Sequence, residues 1–296
     1  MEKQAILVTG ASGALGQIVC HDLLTARQTH LIAATRTPGR LASLAESGVE
    51  VRRADFDDPS TLQTAFAGAD RALIISTDEL ITPGQRQRQH AAALAAAKRC
   101  GVRHVAYTSM PNPMTSAAIP FAADHAAMEA DLRTSGLEYS SLRISWYQEN
   151  LLAYLPAIVL DGVWWTAAGT GRIAYVARAD AAAVAARVVT QDHGLGELDV
   201  AGPEALTIDE IAELVSEATG RPLRVEHVGQ ERLKAELDRQ GVPAAVISMI
   251  VVTEANQAAG QFSASTHAVH ALVGQQPKRL AAFFRDHVGL LLGSPS

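Results

Sequence analysis

The chain has 296 residues, 48% hydrophobic and 19% charged, with a formal net charge of −6 and a pI of about 5.9. That length and apolar content suit a large folded core, and the acidic balance with scattered arginines excludes a basic surface for nucleic acid. Two cysteines, Cys20 and Cys100, stand apart without CxxC spacing, so they are expected as reduced core residues and not as a disulfide or metal site. No apolar stretch approaches the roughly 20 residues that span a bilayer, and the N-terminus runs at once into a strand-like segment. A soluble cytoplasmic chain, monomer or homodimer, with no membrane partner is the expectation.

The first half alternates strand-like and helix-like segments. "AILVTG" is an apolar strand, and "GALGQIVCHDLLTA" carries helical spacing at Leu15, Val19, Leu23 and Leu24. "THLIAATR" is a second strand, followed by "PGRLASLAESG", a helix ended by Gly48. "VEVRRADF" is a third strand, and "DPSTLQTAFAGA" opens a helix with proline in its first turn. "RALIIST" is the fourth strand, and "QRQRQHAAALAAAKRCG" a long alanine-rich helix. "VRHVAYTS", the helix "AADHAAMEADLRTSG" and "EYSSLRIS" complete six β–α repeats. Buried strands without alternation, each followed by a helix, predict an α/β doubly wound parallel sheet with a Rossmann-type ligand crevice at its carboxyl edge.

After Trp146 the alternation loosens. "GRIAYVARADAAAVAARVV" predicts a short strand and a helix, at 178–190, packing back on the sheet. "ELDVAGPEALTIDEIAELVSEATGRPLRVEHV" predicts strand, capped helix and strand, and the remainder is mostly helical. The expected division is a nucleotide-binding domain over 1–145 and a smaller lobe over 146–175 and 195–296.

Gly10, Gly13 and Gly16 form G-x-x-G-x-x-G between the first strand and the first helix. Glycines there permit a sharp turn, let backbone approach a diphosphate closely, and bring a helix N-terminus to the phosphates. Gly10, Ala11, Ser12, Gly13, Ala14, Leu15 and Gly16 are therefore the candidate dinucleotide loop. The second strand ends in "AATRTPGR", with no carboxylate to hold ribose hydroxyls. Arg36 instead falls about 20 positions after the last motif glycine, where the discriminating residue is expected. A guanidinium can clamp a 2′-phosphate through paired hydrogen bonds, which favours NADP over NAD. Asp55 suits an acceptor for an adenine amino group, with Phe56 beside the ring, whereas Asp57 or Asp58 fits a helix entry equally well.

A Tyr-x-x-x-Lys pair, the proton donor of ordinary short-chain dehydrogenases, is absent. His125 and Glu129 take the two positions on one face of the corresponding helix. The segments "ILVTGASGALG", "AATR", "ADFDD", "HVAYTS", "HAAME", "SWYQENLL", "ARADAAAVAARV" and "TIDEIAELVSEATGR" together resemble the NmrA-like atypical short-chain dehydrogenases. Among these the chain is most similar to the bacterial type 2 NAD(P)H:quinone oxidoreductases, with the triphenylmethane-dye reductases as close relatives of the same layout. The resemblance covers nearly the whole chain. It implies an NADPH-binding Rossmann domain, a small lobe closing on the nicotinamide, and planar conjugated electron acceptors, without flavin or metal. One departure stands out: such relatives carry Arg-Asn before the W-Y pair, and this chain has Arg143-Ile144-Ser145, which leaves the pocket's polarity open.

A quinone that accepts hydride becomes an aromatic hydroquinone anion, so positioning matters more than a strong acid. Ser76 and Thr77, ending the fourth strand, are expected beside the cofactor ribose or nicotinamide. Tyr107 to Ser109, ending the fifth, are expected to floor the nicotinamide. Trp146, Tyr147 and Gln148 leave the sixth strand at the pocket mouth, where an aromatic wall could stack a flat ring or simply fill core. Trp164 and Trp165 are less informative, because adjacent strand residues face opposite ways. His125 either donates a proton or orients the substrate, or pairs with Glu129 to hold its helix. His267 and His270 lack a third ligand and are expected at the surface. Besides a reductase, two readings stay open: a non-catalytic NADP(H)-binding redox sensor, and a reductase of dyes or other xenobiotics.

Overall fold

A computed structural model of the protein describes residues 4–26, 29–80, 82–116 and 118–293. Its central sheet has seven parallel strands in the order β3-β2-β1-β4-β5-β6-β8. These are β1 (Gln4–Val8), β2 (Thr29–Thr35), β3 (Glu50–Arg53), β4 (Arg71–Ile74), β5 (His104–Ser109), β6 (Glu138–Ile144) and β8 (Gly196–Val200). A second sheet pairs β7 (Val163–Thr166) with β9 (Arg224–His227), also in parallel. The order turns back at β1, and β4 runs on its other side. In such a doubly wound sheet a crevice opens above the carboxyl ends at that switch point.

Strand residues go alternately to two apolar layers. Ile6, Val8, Ala33 and Leu73 face the helices Ala14–Ala26 and Arg178–Val189. Leu7, Ile32, Ile74, Val105 and Tyr107 face the helices Pro59–Phe66, Gln85–Arg99 and Ala122–Thr134. Cys20 sits in the first layer, where burial pushes its thiol up to about 12, so it is inert at neutral pH. Asp58 is the helix-entry residue of the "ADFDD" run, accepting from the Ser60 amide ahead of Pro59. A third core is built from Leu151, Leu155, Trp164, Ile211, Phe262, Phe283 and Phe284. Thr207 and Glu210 close a capping box on the helix Ile208–Thr219, as the "TIDE" spacing predicts.

The division drawn from the sequence does not follow the packing cleanly. Residues 196–200, expected in the smaller lobe, form the edge strand beside β6. The helix Ala268–Val273 also sends Val269 into the sheet-side core that holds the 178–189 helix. A strand that follows a crossover helix returns to the parent sheet by the ordinary right-handed connection, which explains β8. The strand expected within "GRIAYV" is reduced to isolated bridges, Tyr147 with Val176 and Ile173 with Leu206. Among the described residues no helix is long and apolar enough to cross a membrane.

Candidate functional site

The turn after β1 is shaped by two close constraints. Gly10 has φ of +61°, a left-handed conformation that glycine adopts without penalty. At Gly16 an added Cβ would stand 2.3 Å from the Gly10 carbonyl oxygen and 2.8 Å from the Ala11 Cα, so helix and turn meet with no room for a methyl. The Ala11 amide donates to Ala34 O at 3.0 Å, which ties the loop to β2. Ser12 and Thr35 share a hydroxyl–hydroxyl bond of 2.7 Å at the same edge. The helix that follows has no acidic residue in its first turn. Its positive end and its open first-turn amides at Ala14, Leu15 and Gly16 are therefore not neutralised locally.

This turn borders a cleft with two halves. The first, of about 360 Å³, is lined by Gly10, Ser12, Gly13, Arg36, Asp55, Phe56 and Thr77, and also by Arg40 and Gln89. Arg36 is two-thirds exposed, with only Asp78 at 3.9 Å. Thr77 Oγ1 and Gln89 Oε1 are buried here without a partner among the described residues. The second half, about 350 Å³, is lined by Ser109, Trp146, Tyr147, Phe121, Ile144, Ser145 and Arg178 among others. The halves share Ala14, Ile75 and Ser76 as lining. The Ser76 amide donates to Thr108 Oγ1 at 2.8 Å, which locks the tips of β4 and β5 together. Trp146 stands edge-on to Phe121 and Phe262. Ile144 turns this end apolar where the resemblance implied an amide.

Four sequence-predicted residues, Tyr107, Gln148, Ala11 and Gly16, line neither half. Tyr107 is fully buried beneath the 85–99 and 122–134 helices and lines neither half. The alternation of β5 gives the cleft Thr108 and turns Tyr107 inward. Gln148 is fully buried as well. Its amide N–H donates to Val176 O at 2.9 Å, and its side chain donates to Lys278 O at 2.8 Å, so it joins three chain segments and does not face a ligand. Ala11 is likewise buried, though it shapes the turn.

His125 lines the second half, but both its ring nitrogens are taken. Arg86 Nη2 lies 2.8 Å from His125 Nε2, and the Tyr107 hydroxyl lies 2.8 Å from Nδ1. A guanidinium can only donate, so Nε2 accepts, the proton sits on Nδ1, and the ring is neutral. Burial first, then Arg86 and His90, hold His125 well below its ordinary value. The Thr77 amide donates in turn to His90 Nε2 at 3.2 Å. Burial and Arg86 hold His90 down to about 3. The cluster therefore links the cleft wall at Thr77 to the second half through neutral rings. With both ring nitrogens engaged, His125 has no free N–H to hand to a guest.

The NmrA-like family model matches residues 2–284. The chain belongs to the NmrA-like family. It is 34% identical to quinone oxidoreductase 2 of Escherichia coli K12 over 93% of this chain and 96% of that protein. The crystal structure of the Escherichia coli NADPH-dependent quinone oxidoreductase complexed with NADPH superposes with a TM-score of 0.88 at 33% identity, covering 95% of this chain and 99% of that one. The Citrobacter triphenylmethane reductase complexed with NADP(H) gives 0.86 at 31% identity over 96% and 99%.

In this NmrA-like chain Glu129, unlike His125, stands outside the cleft. It is fully buried and accepts two bonds from Arg143, at 2.9 and 2.7 Å, and one each from Ser109 and Ser141. It ties the 122–134 helix to β5 and β6 and leaves no oxygen for proton transfer, and no hydrogen bond joins it to His125. Glu129→Gln is expected to cost about 3 kcal/mol or more by leaving Arg143 half-buried without its counter-charge, which a urea titration would read. Sequence reasoning also missed Arg86 and Gln89. Their only signal was spacing along the alanine-rich helix, where Gln85 and Gln89 both donate to Asp57. Among the described residues there is no group of three metal-ligating side chains, and His267 and His270 are exposed.

Proposed function

We propose that the protein reduces quinones or similar planar conjugated acceptors with NADPH by direct hydride transfer. The observation that carries the reading is one cleft with two unlike ends across the glycine turn. One end is polar, with Arg36 and Arg40, and the other is aromatic and apolar, with Phe121, Trp146 and Tyr147. The relatives support it, since one is a quinone oxidoreductase solved with NADPH and another a dye reductase solved with NADP(H).

The residues present fit a dinucleotide. Gly16 lets the turn close on the helix tip, and the unpartnered Thr77 Oγ1 and Gln89 Oε1 in the polar wall call for hydrogen-bonding partners. Gly10 to Gly16 would hold the diphosphate, Arg36 the 2′-phosphate, Asp55 and Phe56 the adenine, and Ser76 and Thr77 the ribose or nicotinamide. Bound there, NADPH supplies the hydride, and the acceptor completes its reduction with a proton from solvent. Trp146, Tyr147 and Phe121 hold the flat guest and exclude water. His125, wired to Arg86 and Tyr107, keeps the floor rigid. The reading needs neither flavin nor metal.

The test is NADPH oxidation measured against a panel of quinones, triphenylmethane dyes and simple ketones. Turnover with quinones and none with simple ketones supports the reading. Tight binding of both redox forms with no turnover for any acceptor would instead favour a sensor. Arg36→Ala is expected to weaken NADPH by about 1–3 kcal/mol, the range of a charge-assisted bond, while NADH stays nearly unchanged. Calorimetric titration with both cofactors reads the difference, and equal losses remove the phosphate clamp.

A further inference from the structure

Resting on the reductase reading, we infer that the acceptor end selects flat acceptors bearing an anionic substituent, such as a sulfonate or carboxylate, and that Arg178 is the residue that selects them. Among the described residues Arg178 is the only charged side chain that lines this half of the cleft, His125 being neutral, and no aspartate or glutamate lines it. Its guanidinium lies 4.9 Å from the centre of the Tyr147 ring, along the aromatic wall. Among the described residues it has no carboxylate within 4.0 Å and makes no hydrogen bond.

The nearest acid is already committed. Both Glu149 oxygens accept from the Arg178 backbone amide at 3.1 Å, capping the 178–189 helix. Those bonds hold the main chain at Arg178 and leave the five N–H groups of its guanidinium for a guest. A second unpaired cation lies behind the same cavity. Arg86 sits 5.3 Å from the Phe121 ring centre, is buried, and has no carboxylate within 4.0 Å among the described residues. With Arg178 on the wall, Arg86 behind Phe121 and no lining carboxylate, this end carries positive charge in a chain of net charge −6. Ser145 adds a buried hydroxyl that has no partner among the described residues, and the Asn150 side chain also lines this end. A planar anion gains from each of these, and a cationic dye is repelled.

The test uses the full chain loaded with NADP+. Affinities for a naphthoquinone sulfonate and for unsubstituted naphthoquinone are read from quenching of tryptophan fluorescence, with rates of reduction by NADPH measured in parallel. The sulfonate should bind about tenfold more tightly at low ionic strength, and the preference should shrink towards parity near 1 M salt. Arg178→Met should bring the affinity ratio close to one, and Arg178→Lys should keep part of it. NADP+ binding reports that each variant is folded, and if Arg178→Met is not, the lysine variant and the salt dependence decide. No preference in the wild type, or a preference that survives Arg178→Met or high salt, overturns the inference. Selective binding without reduction leaves the inference standing and removes the reductase reading. Reduction without selectivity does the reverse.

Discussion

Gly16→Ala is expected to lower the affinity for both pyridine nucleotides by at least about 100-fold, which corresponds to about 2.7 kcal/mol. The added carbon would meet the Gly10 carbonyl oxygen at 2.3 Å, the Ala11 Cα at 2.8 Å and the Gly10 carbonyl carbon at 2.9 Å. All three are backbone atoms, so no side chain can swing away. Either the helix Ala14–Ala26 backs off the sheet, or the turn between β1 and that helix opens. The first loosens Leu15, Val19 and Leu23, which are buried on the sheet. The second displaces the amides expected to meet the diphosphate. Overpacking of this kind costs about 1–3 kcal/mol in stability as well. Gly13→Ala is the matched control, because its Cβ meets only the Gly10 carbonyl oxygen, at 3.2 Å. It should lose far less. Calorimetry with both nucleotides, and a melting curve for each variant, measure the pair. Wild-type affinity in Gly16→Ala would remove the close-approach argument.

The second large effect is acid lability. Three buried imidazoles are neutral in the fold: burial and Arg86 hold His90 to about 3, burial and Arg71 hold His104 to about 4, and His125 is held well below its ordinary value. In the unfolded chain each takes up a proton near pH 6.5. The unfolded state therefore binds more protons at every pH between the folded value and about 6.5, and stability falls as pH falls through that window. Each histidine contributes a slope of about 1.4 kcal/mol per pH unit. Glu254 acts the other way, because burial lifts its carboxyl to about 7 and the fold binds the extra proton between its ordinary value and there. Its slope cancels roughly one histidine down to about pH 4.5, which leaves about 3 kcal/mol lost per pH unit. That is a large part of the ~5–15 kcal/mol that holds a typical domain together. Urea titrations at pH 7.5, 6 and 5 would read the decline, and a flat profile would contradict the neutral histidine cluster.

Much of this architecture was legible from spacing. Apolar runs between glycine and proline breaks gave β1, β2, β5 and β6, and the three glycines located the turn. Arg36, Asp55, Phe56, Ser76 and Thr77 come from three different segments and meet in one half of the cleft, because each ends or follows a strand of a parallel sheet. What spacing could not give was the direction of a side chain at a strand's end. Tyr107 and Thr108 are neighbours in sequence, yet one is core and the other cleft. Gln148 looks like a pocket residue until the lobe's backbone carbonyls, from Tyr175 and Lys278, are brought against it. Arg86 lay hidden for the opposite reason. An arginine near the start of an alanine-rich helix reads as solvated surface unless a histidine, a tyrosine and a phenylalanine from two other elements close over it.

The two cavities meet at a waist of Ala14, Ile75 and Ser76. On the proposed reading, nucleotide preference and acceptor preference would be set by separate parts of the chain, one around the ends of β2 and β3, the other around residues 144–147 and Arg178. An engineer can retune one without rewriting the other, provided those three waist positions are left alone.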